Sequence, residues 1–186
     1  MAKNKIVVFE DNEKTINLLA SASYGSDVFK IFTRHQVSYI TDYIMGRIHA
    51  SYHALNLYAS GVKQYVNMNH ALLYSAELQI SVTPIQSVQF FNLTKYSYGN
   101  TSENNPMPMI APFRNLTHIK YEKGSYFISF ETELSARQQR INPYYGEQPT
   151  AGYSIFNITG GVLIPFQKAQ TEITLGVDNL FNKSYS

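Results

Sequence analysis

The sequence predicts an all-β protein, a run of antiparallel strands of the kind that crosses a membrane as a β-barrel, and three observations carry that expectation. The first is alternation: from Val28 to Val177 apolar and polar residues take turns, broken only by tight turns and long polar loops. In Tyr126–Arg137, Tyr126, Ile128, Phe130, Leu134 and Ala136 fall on one face, and Ser129, Glu131, Glu133, Ser135 and Arg137 on the other. A period of two marks a strand with one oily and one wet face. Runs of about 10 such residues joined by turns are the pattern of an outer-membrane barrel. The second is composition. Hydrophobic residues make up 44% of the 186 and charged residues 15%, against about 25% charged in a typical soluble domain. The 15 Tyr and 11 Phe, with no Trp, suit a lipid-facing band edged by aromatics. The third is the order of the connections, which run short, long, short, long, short, long, short.

Eight alternating segments follow one another. The first is roughly Thr15–Tyr24, with Ile16, Leu18, Ala20, Ala22 and Tyr24 on the apolar side, and Gly25-Ser26-Asp27 turns the chain. The second, Val28–Met45, sets Phe29, Ile31, Val37, Tyr39, Tyr43 and Met45 against Lys30, Arg34, Gln36, Ser38 and Asp42. A long link, Gly46–Val62, leads to the third, about Lys63–Thr83, where Leu72, Tyr74, Ala76, Leu78, Ile80 and Val82 oppose Ser75, Glu77, Gln79, Ser81 and Thr83. After a turn at Pro84-Ile85-Gln86, the fourth segment, Ser87–Tyr98, is the least regular, because Phe90 and Phe91 point opposite ways. The loop Gly99–Phe113 precedes a short fifth segment, Asn115–Tyr121, which turns at Glu122-Lys123-Gly124 into the Tyr126 segment. Asn142–Gly152 is the third long loop. Tyr153–Phe166 then places Phe156, Ile158, Val162, Ile164 and Phe166 together, and a turn at Gln167–Gln170 leads to Thr171–Asn179.

Loops sorted by length are what a membrane barrel has, with short periplasmic turns and longer extracellular loops. On this reading the turns at Gly25, Pro84, Lys123 and Lys168 face the periplasm, and the loops Gly46–Val62, Gly99–Phe113 and Asn142–Gly152 face outward. The absence of cysteine excludes disulfides and thiolate metal sites. No apolar run reaches the roughly 18 residues of a membrane-crossing helix. The start, Met1 to Ile6, carries positive charge but no apolar stretch of a secretory signal, so export requires a signal upstream or a longer chain. A net charge of +2 is too small to argue for nucleic acid.

Four stretches resemble, in order, the TonB-dependent outer-membrane receptors. Tyr65-Val66-Asn67 with Ala71 to Glu77 resembles that family's "N…A…YGxE" strand, and Pro108 to Phe113 resembles its "P.IPP" loop. Thr150 to Asn157 resembles its "TPGY.LFN" strand opening, and Gly176 to Tyr185 resembles "GVxNLFNKxY" near the receptor's C-terminus. The likeness covers about Glu13 to Ser186; Ser75 stands in place of the family's Gly, and Ala111 and Ala151 in place of its Pro. Such plugged barrels have about 22 strands. The resemblance therefore implies that residues 1–186 form the C-terminal part of a receptor barrel, with plug domain and N-terminal barrel strands absent. It implies active uptake of a scarce ligand, such as an iron–siderophore, cobalamin or metal complex, across the outer membrane of a Gram-negative bacterium. Its implied partners are the TonB complex, acting through parts missing here, the rest of the barrel and plug, the small ligand and the lipid bilayer.

Two other readings fit the alternation: a self-contained eight-stranded outer-membrane barrel, which pairs its first strand with its last, and a soluble β-sandwich or lipocalin-like module, which buries the Ile128/Phe130/Leu134 face.

The wet-face residues Lys30, Arg34, Asp42, Glu77, Glu131, Glu133, Arg137, Glu172 and Asp178 line the lumen on the leading reading, to guide a charged ligand, grip the plug or pair with one another. The ligand-contact candidates are Arg137, Gln139, Arg140, Tyr144 and Tyr145, where a basic run enters an outward loop. His49 and His53 have the four-residue spacing of two metal ligands on a helix, but no acidic partner is close in sequence. Tyr39, Tyr43, Tyr96, Tyr98, Tyr121 and Tyr126 are expected in an interfacial girdle. Five Asn-x-Ser/Thr triplets, at Asn92, Asn100, Asn115, Asn157 and Asn182, are chance matches in a chain rich in Asn and Thr. Glu131 and Glu133 share a strand face without a pocket to set them apart, so no enzyme activity, cofactor or resident metal is expected.

Overall fold

A computed structural model describes residues 12–49, 62–166 and 169–184. Eight strands account for most of them: β1 (Lys14–Gly25), β2 (Phe29–His49), β3 (Val62–Ile85), β4 (Val88–Thr101), β5 (Arg114–Lys123), β6 (Tyr126–Ser135), β7 (Tyr153–Pro165) and β8 (Gln170–Val177). They form one antiparallel sheet in the order β1 to β8, each paired with its neighbour in the chain. Among the described residues β1 and β8 pair on one side only. The sheet is open, so the first-to-last pairing that a self-contained eight-stranded barrel needs is not made.

Short turns join the strands at one end. Ser26 closes the first, its Oγ accepting from Phe29 N at 3.2 Å. The second lies at Gln86 and Ser87, two residues later than Pro84 suggested. Pro84 instead sits where the β3–β4 register shifts, between Val82 and Ile85. A bulge is where a residue with no N–H is tolerated inside a sheet. Gly124 takes the left-handed conformation the third turn requires, at φ 61°. At the fourth, Phe166 N donates to Ala169 O at 2.8 Å; Lys168, assigned to this turn, lies outside the described residues.

The two faces of the sheet differ in chemistry, and the apolar one is open. In β6, an interior strand, Ile128 is 48% exposed and Leu134 40% exposed, while Glu131, Glu133 and Ser135 on the other face are half-buried or buried. A soluble sandwich buries its oily face, so the exposed Ile128/Phe130/Leu134 surface argues against that reading. The register carries the pattern across the sheet: Val82 lies opposite Phe90, Phe90 opposite Ile119, Ile119 opposite Phe130, and Phe130 opposite Ile158. Tyr24, Tyr121 and Tyr126 edge this surface near the turns, and Tyr39, Tyr96 and Tyr98 edge it near the loops; all are exposed. On β4, Val88 and Tyr98 are ten residues apart. That is about 33 Å along a strand and about 25 Å along the normal at a barrel's tilt of about 40°, the height of a lipid-facing apolar band.

One polar island interrupts that surface. Asn92 on β4 pairs with Thr117 on β5, and Thr94 with Asn115, and the register puts all four on the apolar side. Asn92 Nδ2 donates to Thr117 Oγ1 at 2.8 Å and to Asn115 Oδ1 at 3.3 Å. Asn115 Nδ2 returns the pattern to Thr94 Oγ1 at 2.8 Å and Asn92 Oδ1 at 3.3 Å. The hydroxyls of Thr94 and Thr117 donate back to Asn92 Oδ1 and Asn115 Oδ1. All six polar hydrogens stay within the tetrad.

Packing is densest at the loop end. Ile40, Ala71 and Met107 form a small core, with Tyr43, Leu73 and Ile110 against it. Tyr43 therefore belongs to this cluster and not to the girdle expected of it. The cause lies at Asp42, whose φ of 53° interrupts the regular extended strand, and beyond it Met45 and Met68 are 2% and 5% exposed. Instead of ending at Met45, β2 runs on to His49, pairing with β3 as far as Val62. This hairpin extension takes up Gly46–His49 and Val62 at the two ends of the expected loop Gly46–Val62, whose residues 50–61 lie outside those described.

Candidate functional site

Two surfaces could meet a guest: the polar face of the sheet and the loop layer above it. On the polar face, hydrogen bonds and ion pairs link side chains both within and between strands. Lys95 Nζ lies 3.6 Å from Glu77 Oε2, and Gln79 Nε2 donates to Glu77 Oε1 at 2.7 Å. Lys120 Nζ lies 2.7 Å from Glu122 and 4.8 Å from the Phe127 ring centre. Asn157 Nδ2 donates to Glu131 at 3.1 Å, and Tyr153 OH to Glu133 at 3.2 Å. Phe127 finds room because it lies over Gly161: a Cβ there would come within 2.5 Å of the ring and 2.8 Å of Ile173 O. Close approach thus explains the glycine inside β7.

The loop layer is built around Asn142, which is fully buried. Its Nδ2 donates to Pro106 O at 2.7 Å and points to Met45 Sδ at 3.4 Å. Its Oδ1 accepts from Tyr144 N at 3.0 Å and Tyr145 N at 3.2 Å. Glu147 ties the same layer together, accepting from Asn142 N at 2.8 Å and from Met109 N. The loop is pinned to the β2–β3 extension by Ile48 N to Tyr144 O at 2.7 Å. Arg47 lies 5.0 Å over the Tyr144 ring and pairs with Glu103, while Lys63 Nζ lies 3.6 Å over the Tyr145 ring.

The five residues proposed to contact ligand are divided by this arrangement. Arg140 is engaged by the protein: it donates to Gly99 O at 2.8 Å and to Asn100, and lies 3.7 Å over the Tyr98 ring. It caps the upper part of β4, which β5 does not reach. Tyr144 and Tyr145 serve as platforms for Arg47 and Lys63. Arg137 and Gln139 are exposed, and Arg137 borders a shallow depression with Tyr153, Phe181 and Lys183. Sequence reasoning missed Asn142, Glu147 and Arg47, since a buried Asn that organises a loop reads as one more polar loop residue.

The motif residues hold seams of the fold. Asn157, in the strand-opening motif, accepts from Asn179 N at 2.9 Å while donating to Glu131, and so links β6 to the turn after β8. Asn179 and Asn182 take left-handed conformations, at φ 51° and 48°. Asn179 Oδ1 accepts from Lys183 N at 2.8 Å, and Phe181 meets Phe156 edge-on with ring centres 5.3 Å apart. Tyr185 of the same motif lies outside the described residues. His49 ends a strand, not a helix turn, and His53 lies outside the described residues. Among the described residues no three His, Asp or Glu side chains gather to hold a metal ion.

No protein-family model and no curated protein matches the chain. Solved structures do. The copper transporter OprC superposes with a TM-score of 0.81 at 23% identity, over 94% of this chain and 26% of that one. The FrpB iron transporter from Neisseria meningitidis (F3-3 variant) gives 0.65 at 13% identity, over 93% and 28%. A mutant of the ferric enterobactin receptor PfeA from Pseudomonas aeruginosa gives 0.64 at 15% identity, over 92% and 26%. The chain spans about a quarter of the length of these structures. The eight-stranded sheet has the fold of a stretch of wall from a TonB-dependent outer-membrane receptor barrel.

Proposed function

We propose that this chain forms part of the barrel of a TonB-dependent outer-membrane receptor that takes up a scarce ligand, such as a metal ion or metal chelate. The observation that carries the reading is the inverted sheet. An apolar face about 25 Å tall is open and edged by tyrosines, while the other face carries the charges and amides, Glu77, Glu131 and Glu133 among them bonded to neighbouring polar groups. Lipid covers such an apolar face and water or a plug fills the polar side. The open edges at β1 and β8 support a wall continued by further strands, because each presents unpaired backbone groups that no bilayer can satisfy. The solved structures it resembles are a copper transporter, an iron transporter and a ferric enterobactin receptor, and on this basis the guest is a metal species. The loops 102–113 and 136–152 then face outward. Transport rests on the plug and the TonB contact, both supplied by other parts of the receptor.

With no native cysteine, single spin labels can be placed cleanly. Labels at Leu78, Ile128 and Ile173 in outer-membrane vesicles should be reached by oxygen dissolved in lipid and shielded from a water-soluble nickel relaxant, with the reverse at Glu131. Dry, relaxant-inaccessible packing at all three apolar positions would defeat the proposal.

A further inference from the structure

The polar face carries a row of charges that strand pairing sets at one level. Arg34 lies opposite Glu77, Glu77 opposite Lys95, and Lys95 opposite Arg114. Neighbouring strands are about 4.8 Å apart, so the row crosses four strands in about 14 Å. Both oxygens of Glu77 are engaged, one by Lys95 and one by Gln79. Among the described residues neither Arg34 nor Arg114 has a carboxylate within ion-pair distance; Arg34 rests 5.4 Å over the Phe32 ring. All three cations are exposed. Two shallow depressions meet at Lys95. One reaches Arg34 past Gln36, Ser75 and Ser97, and the other reaches Arg114 past Leu93 and Glu133. Counting Glu133, three cations face two carboxylates, and Glu133 already accepts from Tyr153. The hydroxyls of Ser75 and Ser97, opposite each other one step further along β3 and β4, add short donors beside the row. Lys95 lies midway along β4 and Arg114 opens β5, so the row crosses the middle of the wall and meets the end of the 102–113 loop at Arg114.

We infer that Arg34, Lys95 and Arg114 form an anion-binding strip for a small polyanion whose charged oxygens are spread over about 5–10 Å, the spacing of one to two strands. The inference rests on the proposal that this face is the receptor lumen. Charge-assisted bonds from guanidinium and ammonium groups recognise carboxylate-type oxygens strongly where water is restricted, and the imbalance of charge leaves these groups available to a guest.

Citrate is a suitable probe. Its binding to the protein in outer-membrane vesicles is measured by equilibrium dialysis at low ionic strength, where surface electrostatics are least screened. Arg34→Gln, Lys95→Gln and Arg114→Gln should each weaken citrate binding by about tenfold, and the triple variant should abolish it. Glu77→Gln should strengthen it, and Lys123→Gln, at the exposed turn end of β5 and outside the row, should leave it unchanged. Equal citrate binding by the wild type and triple variant would overturn the inference, as would none by either; an acidic protein segment occupying the strip would give the second result. The Ile128 label separates the two proposals: lipid contact there with citrate indifferent to the row removes this inference alone, whereas loss of lipid contact removes the barrel reading beneath it.

Discussion

The Asn92–Thr94–Asn115–Thr117 tetrad makes a prediction whose sign depends on how many of its members are removed. It lies midway up the apolar face, between Val88 and Tyr98, where hydrocarbon offers no competing hydrogen bonds. Asn92→Ala deletes an acceptor used by Asn115 Nδ2 and by the Thr94 hydroxyl, and so strands two donors. A stranded donor costs about 1–3 kcal/mol. The gain from replacing a polar side chain with a methyl group in lipid offsets part of this, leaving about 1–3 kcal/mol of net destabilisation. Asn92→Ala/Asn115→Ala should cost less than the sum of the two single changes, because the second removes groups that the first had already stranded. Replacing all four by Leu, Val, Leu and Val removes donors and acceptors together and should be neutral or stabilising. The assay is urea unfolding of the protein in lipid vesicles, read by the heat-sensitive gel mobility of folded β-barrels. An unchanged midpoint for Asn92→Ala would refute the reasoning. A quadruple variant less stable than the single one would do so too, since it would mean the four residues contact a polar partner and not lipid.

Three further outcomes follow from contacts on the other surfaces. Asn142→Ala removes two donors' acceptor and leaves Pro106 O without its partner, so it should cost about 2–4 kcal/mol locally; proteolysis within residues 136–152 of intact cells should accelerate if those residues are held as described. Gly161→Leu drives a side chain into Phe127 and the Ile173 carbonyl, and should lower the yield of folded protein in membranes, while Gly161→Ala costs about 1–3 kcal/mol; normal yield for the leucine variant would show that Phe127 does not lie there. Asn157→Ala unlinks Glu131 from Asn179 and should raise spin-label mobility at Lys183 with little effect at Ile128; equal mobility in both proteins would remove the linking role.

Strand positions and faces were legible because one physical demand, lipid on one side and water on the other, writes itself into every second residue. Leu78, Ile128 and Ile173 follow it, and so do Glu77, Glu131 and Glu172 opposite them. The demand lapses past Asp42, where β2 and β3 rise into the loop layer and the loop 136–152 packs against them. Met45 and Met68 are buried there for reasons that alternation does not encode, which is why alternation alone ends the strand at Met45 and assigns Tyr43 to the girdle. The irregularity of the fourth segment has a different source. Phe90 and Phe91 do point to opposite faces, but Asn92 and Thr94 break the pattern because their partners, Asn115 and Thr117, are on another strand and cancel their polarity.

The candidate site was the least legible part, and Arg140 explains why. A basic residue beside loop tyrosines has the chemistry of a ligand contact, but chemistry alone does not say whether a donor is spent within the protein. Arg140 is spent on Asn100 and on Gly99 O, which also accepts from Met107 N, where β4 outruns β5. Arg34 and Arg114 look no different in the sequence, standing mid-pattern as ordinary wet-face charges. Register alone distinguishes them: it sets both in line with a single glutamate that Lys95 and Gln79 have already taken. A residue's availability to a guest is therefore a property of the pairing, and the pairing gathers unspent positive charge on the wall while Arg140 of the loop holds the fold together.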